Sequence, residues 1–115
     1  MSRSPLDYLR HILDETDYLA TEVARLSEDA FLRDPTAQRA FVRSMEIIGE
    51  AAKHVPPEWR NRYPDIEWRA MAGMRDRMIH RYFGVDYQIV WDVAVNKAPK
   101  LRESIRALLE REAKP

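Results

Sequence analysis

The chain has 115 residues, 19 basic and 19 acidic, and no cysteine. That length fits one domain spanning 1–115, and the absence of thiols excludes disulfides and thiolate metal sites. Zero net charge argues against non-specific nucleic-acid binding through a broadly basic surface. No apolar run approaches the roughly 18 residues that a membrane span needs, and the N-terminus lacks a signal-peptide core, so a cytoplasmic protein without membrane association is expected. Charge is uneven, however: residues 1–34 hold eight acids and four bases, whereas Arg69, Arg75, Arg77 and Arg81 face only Asp76 within 69–81.

Taken in order, the segments read as all-α. Ser4 with Pro5 and Asp7 opens a first helix whose apolar side is Leu6, Leu9, Ile12, Leu13, Ala20, Val23 and Ala24 and which fades near Ser27. Asp34-Pro35 opens a second, with Ala37, Phe41, Ser44, Ile48, Ala51, Ala52 and Val55 inward, stopped by Pro56-Pro57. A helical turn over 58–63 follows. Pro64-Asp65 starts a third helix that runs to Gly84, read as the glycine just past its end. Asp86 caps a fourth, whose apolar positions from Tyr87 to Leu108 stay in phase across Pro99. One helix kinked at Pro99 and two helices with a short break both satisfy that pattern. Four main amphipathic helices with short connections describe an antiparallel bundle.

The third helix carries the residues that suggest chemistry. At 100° per residue, Arg75 falls inside the arc of Trp68, Met71, Met74, Met78, Ile79 and Tyr82. A guanidinium in an apolar arc must be paired, face a partner chain or line a cleft, because it cannot discharge. Asp76 lies four residues before His80 and would share its face, orienting the imidazole and raising its pKa. Arg75 and His80 are five apart, about 140° around a regular helix, so using both requires distortion at the helix end or a second copy across a dimer axis. An imidazole can move protons at a ribose 2′-OH or a leaving oxygen, and a guanidinium can hold a phosphate bidentately. On the residues alone the commoner reading is structural, with Arg75 paired to Glu46 or Glu50 and His80 solvated.

The surrounding residues resemble the HEPN family of small helical ribonucleases, in its HepT-like toxin branch. The signature of arginine, four residues, histidine, one residue, tyrosine is met by Arg75, His80 and Tyr82. Ser44-Met45-Glu46-Ile47-Ile48-Gly49-Glu50-Ala51-Ala52, Tyr63-Pro64-Asp65-Ile66-Glu67-Trp68-Arg69, His80-Arg81-Tyr82-Phe83-Gly84-Val85-Asp86 and Val90-Trp91 continue the likeness in order. The resemblance implies a homodimeric, metal-independent endoribonuclease without cofactor, in a type VII-like toxin–antitoxin pair. Arg75, His80 and Asp76 would be catalytic, with Arg77 and Arg81 supplying positive charge beside them for the substrate. Two motif copies would meet at the dimer interface. The partner would be a minimal nucleotidyltransferase that silences the toxin by moving AMP from ATP onto Tyr82. The chain departs from the branch at Arg81, where small or uncharged residues are also common. The alternative is a non-catalytic helical protein that binds the nucleotidyltransferase or RNA without cutting.

Other candidates carry less. His11 and His54 have no metal-ligand spacing. Glu46 and Glu50 read as solvated partners of Arg43 and Lys53, with a role in orienting Arg75 as the alternative. Trp68 and Trp91 read as core, and Trp59 as the outward tryptophan suited to base stacking. With no glycine-rich phosphate loop, the chain is not itself an ATP-using transferase.

Overall fold

A computed structural model describes residues 4–80 and 84–113, with Ile79 and His80 described through their backbone. The all-α class holds. Helix α1 is Pro5–Arg25, opened as the sequence suggests, with Ser4 N–H donating to Asp7 Oδ2 at 3.2 Å. Helix α3, Pro35–Lys53, is capped by Asp34, whose Oδ1 accepts from Ala37 N–H at 3.1 Å. Between them lies α2, Glu28–Leu32, which the periodicity did not disclose because it is barely more than one turn. Its signal was the Ser27 cap, whose hydroxyl oxygen accepts from Ala30 N–H. Its purpose is Phe31, fully buried against Phe41 at 4.6 Å and Trp91 at 5.3 Å between ring centroids. Tilted aromatic pairs of this kind add about 1 kcal/mol each beyond area burial.

Helix α4 is Pro57–Arg62. Its Trp59 is partly buried against the core, more open than buried Trp68, and the Arg62 guanidinium lies over its ring at 5.1 Å from the centroid.

The third predicted helix is where structure and sequence part. It does not begin at Pro64: residues 63–67 fold as turns, with the Trp68 indole N–H donating to Tyr63 C=O at 3.0 Å. Nor is it continuous. Helix α5, Trp68–Ala72, stops at Gly73, α6 covers only Met74–Met78, and the chain then becomes extended in β1, Ile79–His80. This strand pairs antiparallel with β2, Gly84–Val85, bringing His80 opposite Gly84. Gly84 has φ +79°, a conformation that favours glycine, but it serves this ladder and not a helix end.

Asp86 caps α7, Tyr87–Asp92, through bonds from Gln88 and Ile89 N–H. A π-helical turn, Val93–Lys97, leads into α8, Ala98–Ala113. Ala98 N–H reaches back to Val93 C=O, so the widened turn makes Pro99 the second residue of α8. There its missing N–H costs little. The long continuous path is therefore the correct alternative, and the device that accommodates proline is a π turn.

α1 packs on α3 and α8, and α3 carries α5 and α6 on another side. The core runs through Leu9, Ile12, Leu19, Phe41, Met45, Ile48, Met78, Val90 and Ile105, all fully buried. Among the described residues no helix is long and apolar enough to cross a membrane.

Candidate functional site

Helix α6 is one turn and a half long, too short to persist alone, so packing must hold it. Met74 and Met78 are buried and anchor it on the bundle, with α3 alongside. Two anchors at i and i+4 leave the intervening Arg75, Asp76 and Arg77 outside, and all three are exposed. The Arg75 side chain keeps 64% of its surface, so it is not the buried guanidinium that an unbroken helical arc implied. The break at Gly73 resets the phase between Met71 and Met74, and the arc drawn through one straight helix was never formed. With the charge outside the core, the burial argument for a dimer lapses as well.

Arg75 does find the carboxylate that one reading offered. Its Nε lies 3.4 Å from Glu46 Oε2 on α3, whose side chain is 34% exposed. An ion pair this open contributes about 0–1 kcal/mol, so it orients the guanidinium without locking it. Among the described residues no second ion pair engages its fork of N–H donors, which is suited to an anion.

The other predicted residues distribute differently. Arg77 lies two residues beyond Arg75 and lines another hollow, with Glu67, Met71, Met74 and Lys97. Arg75 and Arg77 thus serve opposite sides of α6. Asp76 N–H bonds Gly73 C=O at 3.1 Å and its side chain faces solvent. The shared-face argument for Asp76 and His80 assumed helix through residue 80, whereas the helix ends at Met78. Asp86 N–H closes the returning chain on Met78 C=O at 2.7 Å. The His80 side chain and all of Arg81 and Tyr82 lie outside the described residues, so their placement beside Arg75 remains an expectation.

One approach holds the site together. A Cβ built on Gly49 of α3 would sit 3.0 Å from Met71 C=O and 3.6 Å from Ala72 C=O. A larger residue at 49 would press α5 outward by a few tenths of an ångström, and Gly49, Ala72, Glu46 and Arg75 line one hollow. Among the described residues no group of three or more His, Asp and Glu is placed to hold a metal ion.

Over residues 7–108 the chain matches the family described as Ribonuclease HepT-like. The chain belongs to the HepT-like ribonuclease family. It is 44% identical over 110 residues to a "Putative RNase" of Caldanaerobacter subterraneus subsp. tengcongensis, covering 96% of this chain and 98% of that one. It is 38% identical over 108 residues to a "Probable ribonuclease HepT" of Thermococcus cleftensis, covering 94% and 98%. No solved structure matches the chain. Family membership gives the exposed Arg75 beside Glu46 a chemical context that the geometry alone lacks.

Proposed function

We propose that this protein is a metal-independent endoribonuclease toxin, active as a homodimer and held in check by a minimal nucleotidyltransferase. The observation that carries the reading is Arg75. In a chain of ribonuclease ancestry, its guanidinium is exposed, oriented by one carboxylate and five residues before His80.

In this reading Arg75 binds the scissile phosphate through paired N–H donors and offsets the charge that grows on its oxygens. His80 takes the 2′-OH proton as the 2′-oxygen bonds to phosphorus. The bond from phosphorus to the 5′-oxygen breaks, and that oxygen leaves with a proton returned by imidazole. A homodimer supplies two imidazoles for these two roles. Asp76 supports the charge balance of the motif, and Arg77 and Arg81 favour the RNA strand nearby. Tyr82 is the control point. Its phenolic oxygen attacks the α-phosphorus of ATP on the transferase, pyrophosphate departs, and the AMP ester adds negative charge and bulk where substrate phosphate binds.

The test is cleavage of single-stranded RNA by purified protein in EDTA, with Arg75→Ala and His80→Ala alongside. Arg75→Ala should stay folded, since Arg75 is exposed, circular dichroism checks the fold of His80→Ala, and each variant should lose most activity. Unimpaired cleavage by either removes it from the mechanism. Light scattering at micromolar concentration reads the dimer directly, and a monomer would remove that part.

A further inference from the structure

We infer that the hollow formed by Tyr8, His11, Arg43, Glu50 and His54 is a nucleotide subsite, where a base flanking the scissile phosphate stacks on His54. The inference rests on the RNA-cleaving reading and extends it to how the strand is held.

Three observations converge. The first is continuity. The hollow that contains Arg75, about 310 Å³, is also lined by Arg43 and Glu50, and the same two side chains line the neighbouring hollow of about 270 Å³ with Tyr8, His11 and His54. A strand whose phosphate sits at Arg75 can therefore run along the outer face of α3. From Glu46 to His54 the helix advances about 12 Å, room for the next nucleotides of an extended strand.

The second is a prepared aromatic surface. The Tyr8 and His54 rings stack at 4.9 Å between centroids, with planes 13° apart. His54 sits at the end of α3, its side chain 52% exposed, and Glu50 Oε1 lies 3.5 Å from its Nε2. Tyr8 covers one face of the imidazole. A flat ring held on one side and half-open elsewhere is a stacking platform that discriminates little among bases. His54 is exposed and fills no part of the core.

The third is charge. Along this path Arg43, Lys53 and Arg75 stand against Glu46 and Glu50. Glu46 is already engaged by Arg75, and Glu50 lies against His54. Exposed Arg43 lines both hollows and is placed to meet a backbone phosphate of a strand that spans them. The path thus joins charged side chains to one aromatic pair over an apolar floor of Ile47, Ala51 and Ala72, a combination that suits a phosphate backbone with its bases turned inward.

The test is equilibrium binding of a fluorescent, 2′-O-methylated single-stranded RNA oligonucleotide, which lacks the nucleophile and is not cut. A second oligonucleotide keeps the backbone but has abasic positions. His54→Ala should weaken binding of the first about tenfold and of the second little, which is the signature of lost stacking. Arg43→Ala should weaken both. Arg106→Ala, which removes an equal charge from an ion pair with Asp17 elsewhere on the surface, should change neither. Circular dichroism confirms that each variant is folded. If His54→Ala leaves affinity for the base-bearing strand unaltered while the unmodified protein still cuts RNA, the subsite is wrong and the nuclease reading stands. If the unmodified protein neither binds nor cuts RNA, both fall.

Discussion

Replacing Gly49 by alanine tests the link between packing and the Arg75 site. In a helix interior the substitution alone should stabilise by about 1 kcal/mol, because glycine loses more backbone entropy. Here the new Cβ would meet the Met71 carbonyl oxygen at 3.0 Å, a backbone atom that cannot rotate away. Relief requires α5 to lift by a few tenths of an ångström, and overpacking of this type costs about 1–3 kcal/mol. The net expectation is a loss of about 1 kcal/mol, or about 4 °C in Tm. Ala72 and Arg75 follow α5 outward, so the 3.4 Å contact between Arg75 and Glu46 opens. RNA cleavage well below Tm should then fall about tenfold, since misplacing a catalytic group by fractions of an ångström is costly. Gly73→Ala is the control. Its Cβ would meet only Arg69 C=O at 3.4 Å and its φ is −91°, so Tm should hold or rise slightly. Differential scanning fluorimetry and a cleavage assay on the same preparations give both readouts. A higher Tm and full activity for Gly49→Ala would refute the reasoning.

Glu46→Ala should change Tm by no more than about 2–4 °C, because the ion pair is exposed, while lowering kcat more than it raises KM; an unchanged kcat would show that Glu46 does not orient Arg75. Tyr82→Phe should leave a nuclease that the cognate nucleotidyltransferase and ATP cannot silence. Intact mass would show no AMP-sized increase, and an increase that persists and maps to Tyr63 or Tyr87 would move the acceptor. Tyr63 already donates its hydroxyl to Glu112. That bond, with Arg62 3.0 Å away, holds the Glu112 carboxyl below the ordinary carboxylate range. Burial first, then the bond to Glu112, pushes the Tyr63 phenol above its ordinary value. A lowered acid stabilises above its unfolded pKa and loses this as pH falls through the folded one; a raised phenol stabilises below its unfolded pKa and loses this as pH rises through the folded one. The end of α8 should therefore exchange amide hydrogens slowly between those limits, after correction for intrinsic rates, and faster beyond both. Flat protection across the acid limb would show that this contact does not secure the helix.

The long helices were legible because their signals agree. Ser4-Pro5 and Asp34-Pro35 mark starts, Pro56-Pro57 marks a stop, and 3.6-residue periodicity fills the intervals. Phe41 and Ile105 are buried where that period puts them. The reading failed where short elements depend on tertiary contacts. Helix α2 exists to bury Phe31, and α5 and α6 exist because Trp68, Met71, Met74 and Met78 find α3 and the helices around it. Gly73 lies inside the predicted third helix yet ends one in the structure, and a helical phase carried through it misplaces Arg75. The Arg75–Glu46 contact was legible only as one of several options, since charge pairing across helices leaves no periodic trace. The contacts of His54 with Tyr8 and Glu50 were not foreseen: one spans 46 positions, and the other was masked by reading Glu50 as a partner of lysine or arginine.

The central claim is that a guanidinium and an imidazole cut RNA through its own 2′-OH. Mass spectrometry of the products formed from a defined single-stranded RNA in EDTA tests it most directly. The account predicts fragments ending in a 2′,3′-cyclic phosphate paired with fragments beginning in a 5′-hydroxyl, absent with His80→Ala or Arg75→Ala. Products carrying a 5′-phosphate and a free 3′-hydroxyl, or cleavage only when a divalent cation is restored, would contradict it.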